Sequence, residues 1–269
     1  MKIKKLKLKN IFIFEDLNMK FKDGLNIIEL DNKEINLNLM KILYAMCDND
    51  KHIGKINFDL SYTYFKSNAI ELINDTINII DKKPHIEITY TDGGVFTYDL
   101  LKYEGNKIEL DGLDKFTIDN TNKCIFILYN DDLFNCSKLL ENYNEYTNKI
   151  DKTNIDLLLN MKKSPKSYIK LEYKIIMHKI INIIDGIPIY KNNKFYIKRK
   201  SKEFDLYKEN LEVKNLSILY FLIQNNEIQS KNIIILNEPK KYIKYENQYI
   251  IDEILELLLK ENKQIFINI

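Results

Sequence analysis

The sequence predicts an α/β fold with a mixed sheet, a β-meander lobe and a helical insertion. Three observations carry this expectation. Residues 24–47, "GLNIIELDNKEINLNLMKILYAMC", read as a strand, a loop and a helix. From Lys55 to about Leu113 the chain alternates and is rich in β-branched and aromatic residues, the pattern of successive strands. At the C-terminus a buried strand, a helix and another buried strand follow one another, which argues for a parallel αβ sheet.

In chain order, "KIKKLKLKNI" and "EDLNMKF" are two short strands joined around Phe12 to Glu15. "GLNIIEL" is a third, and the apolar run Leu25, Ile27 and Ile28 predicts burial on both faces. From Ile35 apolar side chains recur at helical spacing, so residues 35–47 are expected to be a helix packed on the sheet. "TDGG", Thr91 to Gly94, is a hairpin turn, because glycine accepts positive φ. "CIFILYN", Cys124 to Asn130, reads as a buried strand. Residues 131–184 turn helical, and Gly186 and Pro188 end that stretch. "IPIYKNNKFYIKRK" is a hairpin across Asn192 and Asn193. Residues 212–225 form a strongly apolar helix. "NIIIL" is a strand, "ENQYIIDEILELLLKEN" a helix and "QIFINI" a last strand.

Composition narrows the function classes. The 269 residues suffice for a core, and a 45% hydrophobic content fits a globular protein. The 41 basic and 39 acidic residues give a net charge of +2, too balanced to mark a nucleic-acid binder. Arg199 is the only arginine, so the usual bidentate reader of phosphate and guanine is nearly absent. The lysine runs "KIKKLKLK" and "IKRKSK" leave DNA contact as a weaker possibility, one that a steep salt dependence would support. Cys47, Cys124 and Cys136 lack the spacing of a metal site and read as reduced core thiols. His178 sits within a helix, with no partner at metal-ligand spacing. No apolar run approaches the roughly 18 residues of a membrane span, and no signal segment follows the charged start, so the expectation is a cytoplasmic protein without membrane contact.

Three segments then line up: strand, loop and helix at 25–47, an apolar helix at 211–225, and "NIIILNEPKK". This order resembles the head of ABC-type ATPases of the SMC, RecF and OLD kind, often called AAA-family ATPases, over nearly the whole chain. "KLKLKNIFIFEDLNMKFKDGLNII" is similar to the family's opening, and "ILNEP" is its most specific short match. The resemblance implies a P-loop NTPase fold, with an α/β core from residues 1–50 and 186–269, a β-rich lobe at 51–130 and a helical segment at 131–185, all within one head-like domain.

Position by position, the resemblance implies degenerate motifs. The first glycine of the family's GxxxxGK[ST] loop falls on Leu30, followed by Asp31 and Asn32. The middle glycine falls on Lys33 and the last on Ile35. The phosphate-binding lysine is Asn36, and the magnesium-binding serine or threonine is Leu37. The signature loop lies near Asn210 to Lys214, without serine or glycine. The metal-positioning aspartate is Asn237, whereas Glu238 matches the catalytic base and Pro239 its neighbour. The family's final histidine falls past Ile269. Physically, a phosphate loop needs glycines whose amides approach the oxygens, and β-branched Ile35 resists such angles. Leu37 has no oxygen for Mg²⁺. The charge of Glu34, at about 5 Å and an effective dielectric near 20, would repel an anion by roughly 3 kcal/mol.

The expectation is therefore a catalytically inactive ATPase-like protein that needs no cofactor. It would act through a protein partner: a second copy, an active ATPase relative or an effector. The resemblance also suggests a bacterial setting in DNA repair or anti-phage defence. The alternative is a divergent ATPase that uses ATP and Mg²⁺, with a partner subunit and Glu238 as base.

Overall fold

The computed structural model describes residues 2–11, 14–30, 32–47, 85–104, 107–111, 124–129, 133–136 and 152–268. In chain order the elements begin with β1 (Ile3–Ile11), β2 (Phe14–Lys20), β3 (Leu25–Ile27) and α1 (Lys33–Cys47). β4 (His85–Tyr90), β5 (Val95–Glu104), β6 (Lys107–Asp111) and β7 (Cys124–Leu128) follow. Then come α2 (Leu133–Cys136), α3 (Lys152–Met161), α4 (Leu171–Ile184), β8 (Ile187–Lys191), β9 (Lys194–Arg199) and β10 (Lys202–Asp205). α5 (Leu211–Gln224), α6 (Glu227–Ser230), β11 (Ile233–Asn237), α7 (Tyr249–Lys260) and β12 (Gln264–Asn268) complete the described chain. The strand expected within "INFDLSYTYF" and the part of the expected helical stretch at 137–151 lie outside the described residues.

The chain divides into two compact units, Met1–Asp23 with Ala45–Lys123, and Gly24–Tyr44 with Cys124–Ile269. The first contains an antiparallel sheet in the order β2-β1-β4-β5-β6. Its register explains the alternation in β1. Leu6 lies opposite Met19 and Ile88, and Leu8 opposite Leu17 and Ile86, so one face is apolar and the lysines stand on the other. The turn between β4 and β5 is closed by Tyr90 N donating to Gly94 O at 2.8 Å, with Gly93 at φ +89. The sequence places residues 1–23 with the α/β core. In the structure β1 pairs with β2 on one edge and with β4 on the other, so both strands belong to the antiparallel sheet, because the free edge of β1 is met by a strand over 70 residues further on, a pairing no local pattern encodes.

The second unit is built on a parallel sheet in the order β3-β12-β11-β7. β7, β11 and β12 are buried throughout, as short apolar runs in a covered parallel sheet should be. β7 thus joins the α/β core, whereas the sequence places residues 51–130 in the β-rich lobe. β3 departs from the expected two-sided burial. It is an edge strand, Asn26 is its buried residue, and Ile27 is 52% exposed.

α5 is buried along nearly its full length, consistent with its almost continuous apolar sequence. Asn210 caps it, its Oδ1 accepting from Val213 N at 3.0 Å. Phe221 of α5 meets Phe195 of β9, which in turn meets Phe134 of α2 and Tyr190 of β8. Tyr44 holds α1 in this unit by its ring against Phe126 and its hydroxyl 3.1 Å from Asp156 Oδ2. Asn192 and Asn193 turn the β8–β9 hairpin with φ of 49 and 58, the conformation asparagine tolerates best after glycine.

At the end of α4 the left-handed residue is Asp185, φ 48, rather than Gly186. Glycine is needed at 186 for a different reason, since a Cβ there would sit 2.7 Å from Ile197 Cγ1. Arg199 closes the same corner, binding Glu209 through two nitrogens and donating to the carbonyls of Ile184 and Asp185. Among the described residues no helix is long and apolar enough to cross a membrane.

Candidate functional site

In open α/β sheets, ligands bind beyond the carboxyl ends of the strands. That edge of the parallel sheet collects most of the residues singled out in the sequence. Ile28 N donates to Ile267 O at 2.7 Å, fixing the path out of β3. The chain then turns through Leu30 and Asn32 into α1, which begins at Lys33, two residues before the expected start. Ile35 and Leu37 are half-buried in the first turn and a half of the helix. Asp31 lies outside the described residues.

Asn36, at the lysine position of the resemblance, is buried and turned back into the loop. Its Oδ1 accepts from Leu30 N at 2.9 Å, and its Nδ2 faces Leu30 O at 3.4 Å. Asn32 caps the helix, its Oδ1 accepting from Glu34 N at 2.8 Å, while its carbonyl accepts from Asn36 N at 3.0 Å. The amides of Leu30, Glu34 and Asn36 are therefore all used within the chain.

The strand ends beside it are tied together just as closely. Asn237 and Asn268 are register partners in β11 and β12, and Asn268 Nδ2 donates to Asn237 Oδ1 at 2.9 Å in a buried pair. Asn268 Oδ1 accepts from Glu238 N at 2.6 Å. Glu238 has φ 44, a left-handed conformation that is unusual for a residue preceding proline. Its carboxylate is shared between two lysines: Lys33 Nζ is 2.7 Å from Oε1, and Lys241 Nζ is 2.6 Å from Oε2. The structure thus brings Leu30, Asn32, Lys33 and Asn36 into one loop, and Asn237 and Glu238 onto the neighbouring strand end, with Lys33 as the link.

Sequence reasoning missed Lys241 and Asn268. Lys241 had a signal, three residues beyond Glu238 in a tight turn closed by Lys241 N donating to Glu238 O at 3.1 Å. The segment near the expected signature carries Glu212, also buried. It accepts from Lys244 N at 3.0 Å and Asn247 Nδ2 at 2.8 Å, anchoring the start of α5 to the turn before α7. His178 is exposed on α4, and among the described residues no group of three His, Cys, Asp or Glu side chains is placed to hold a metal ion.

Burial raises the Glu238 pKa, but the hydrogen bonds and charges of Lys241 and Lys33 outweigh it, and the carboxyl titrates below its ordinary range. A group with a lowered folded pKa adds stability above its unfolded pKa and loses it as the pH falls through the folded value. Glu238→Gln is therefore expected to be less stable than the parent at about pH 7, with the difference narrowing toward about pH 3. Urea midpoints at both ends measure this, and a gap independent of pH would show that the lysines do not hold the carboxylate.

No protein-family model matches the sequence, and no curated protein matches it. Solved structures do. An SMC head bound to the C-winged helix domain of ScpA matches with a TM-score of 0.52 and 12% identity, over 100% of this chain and 90% of that one. The chain has the fold of an ABC-type ATPase head. Two further SMC heads match with lower TM-scores. One, from Thermotoga maritima, has a TM-score of 0.39 at 12% identity and covers 100% of this chain and 89% of that one. The other, with an extended coiled coil and bound to the C-terminal domain of ScpA derived from Pyrococcus furiosus, has 0.45 at 12% identity over 99% and 89%. At this identity the likeness concerns the fold alone. On the head fold, parallel strands carry the loop, Asn237 and Glu238 to a common edge, and an antiparallel sheet forms a separate unit.

Proposed function

We propose that this chain is a catalytically inactive ATPase head that works by binding another protein. One observation carries the reading: groups of the loop between β3 and α1 that could meet a phosphate are used within the chain. The amides of Leu30 and Glu34 are taken by the side chains of Asn36 and Asn32, and the cation, Lys33, is engaged by Glu238. A phosphate would need those amides free and that charge unspent. The residues do not fit a Mg²⁺–nucleotide. Leu37 offers no oxygen, Asn237 is spent on Asn268, and Glu34 adds a repelling charge. A carboxylate held between two lysines with a lowered pKa is also a poor base toward water.

The head matched at a TM-score of 0.52 is bound to a domain of ScpA, which supports a protein partner for this fold. A second copy, an active ATPase relative or an effector would each serve. DNA repair or anti-phage defence is the setting that the family resemblance suggests. A hydrolytic reading rests on Glu238 at the strand end. Phosphate release from ATP and Mg²⁺ separates the two. No release above the level of Glu238→Gln is expected, whereas turnover by the parent that this substitution abolishes would establish an ATPase.

A further inference from the structure

In the second unit the antiparallel sheet β10-β9-β8 has β10 at one edge, with no strand on its outer side among the described residues. Arg199 and Lys202 are partners across the two-residue turn Lys200–Ser201, with Lys200 at φ 53. In such a hairpin the closing pair exchanges both main-chain bonds. Alternation then turns the N–H and C=O of Glu203 and Asp205 away from β9. Neither residue has another main-chain partner among the described residues. Two donor–acceptor pairs, about 7 Å apart, therefore lie along an open edge.

The charge around this edge has one sign to spare. Residues 187–210 carry seven cations and three acids, and the acids are engaged locally. Glu203 pairs with Lys191, Glu209 with Arg199, and Asp205 Oδ1 accepts from Tyr207 N at 3.0 Å. The nearby charge of Asp185 acts on Arg199. Lys194, Lys198, Lys200, Lys202 and Lys208 are exposed, and none has an ion-pair partner among the described residues. By register Lys198, Lys200 and Lys202 stand at the turn end of β10, and Lys194 and Lys208 at the other end. Between these groups Phe204 is 42% exposed, its ring centre 5.6 Å from Arg199 Cζ.

We propose that this edge takes an extended segment of another protein as an added strand, one with an apolar centre and acidic ends. The main-chain groups of Glu203 and Asp205 bond its backbone, Phe204 meets an apolar side chain, and the lysines at the two ends meet the acids. Other occupants fit less well. In an antiparallel pairing with a second copy, Glu203 and Asp205 would exchange their outward bonds with each other or with themselves, setting acid against acid. The phosphates of a nucleic acid accept but do not donate, so the open carbonyls would stay unmet and Glu203 and Asp205 would face like charge. The only arginine, the better phosphate reader, is already held by Glu209. The inference deepens the reading that the chain works through protein contact.

Fluorescence anisotropy of the full chain with a labelled, end-capped peptide tests it. The peptide alternates threonine and valine between a pair of aspartates at each end, so that valine faces Phe204 and threonine faces Glu203 and Asp205. Binding with a Kd below ~1 mM at low salt is expected, weakening as salt rises. Methylating the central main-chain amides of the peptide should weaken it at least ~10-fold, because only an added strand needs those donors. Lys200→Glu with Lys202→Glu should also weaken it at least ~10-fold, without lowering the thermal midpoint, since both side chains are exposed. No binding at ~1 mM, or binding indifferent to the methyl groups or to the two glutamates, would each overturn the proposal. So would tighter binding of single-stranded oligothymidylate than of the peptide, or a dimer of the chain that the peptide disperses. Binding of Mg²⁺–ATP would overturn the functional reading and leave the edge standing, whereas failure of the peptide would overturn this inference alone.

Discussion

Replacing Phe221 by alanine is expected to lower the unfolding free energy by about 3–5 kcal/mol. The ring is 2% exposed, and its centre lies 5.2 Å from that of Phe195 in an edge-on contact. Phe195 also meets Phe134 at 5.5 Å and Tyr190 at 4.7 Å, so the cavity would open where α5, β9, β8 and α2 converge. The adjoining backbone elements are sheet and helix that relax little, so the hole would stay largely unfilled. Urea denaturation of the parent and variant measures the loss. Leucine at the same position should recover most of it, and a loss below about 1 kcal/mol for alanine would contradict the packing.

Asn268→Ala is expected to cost about 2–4 kcal/mol, because it strips partners from two groups at once. Glu238 N loses its acceptor, and the buried Asn237 Oδ1 loses its donor. The left-handed backbone at Glu238 also loses a bond that holds it. Lys33→Ala in the same site should cost less than about 1 kcal/mol, since that cation is largely exposed and its ion pair is screened. The same denaturation series distinguishes the two. Equal costs would mean that the strand ends are not held by the asparagine pair.

These two variants sit on opposite sides of what the sequence reveals. The apolar run of α5, the asparagine cap at 210 and the Asn192–Asn193 turn are local signals, because each is dictated by a few neighbouring residues and their allowed φ and ψ. The parallel β11–α7–β12 unit is legible for the same reason. Other features depend on distant partners. The Lys33–Glu238 pair spans 205 residues, and Asn268 reaches Glu238 across 30. In the sequence Lys33 marks only the place of an absent glycine, whereas in the structure it links the loop to Glu238. The allocation of β1 and β2 to the antiparallel sheet was likewise hidden, since an alternating strand states which face is apolar but not which strand it pairs with. Ile27 shows the limit of the apolar-run rule: a short run at a sheet edge leaves one face open.

The closed loop between β3 and α1 is tested most directly by the thermal midpoint of the full chain with and without millimolar ATP and Mg²⁺. A ligand at one hundred times its dissociation constant adds about 2.7 kcal/mol and would raise the midpoint of a chain this size by about 5 °C or more. No shift is expected, because the amides of Leu30 and Glu34 and the charge of Lys33 are already spent within the chain. A rise that disappears when Mg²⁺ is removed would contradict this, and would mean that Asn36 and Lys33 release their partners to admit a nucleotide.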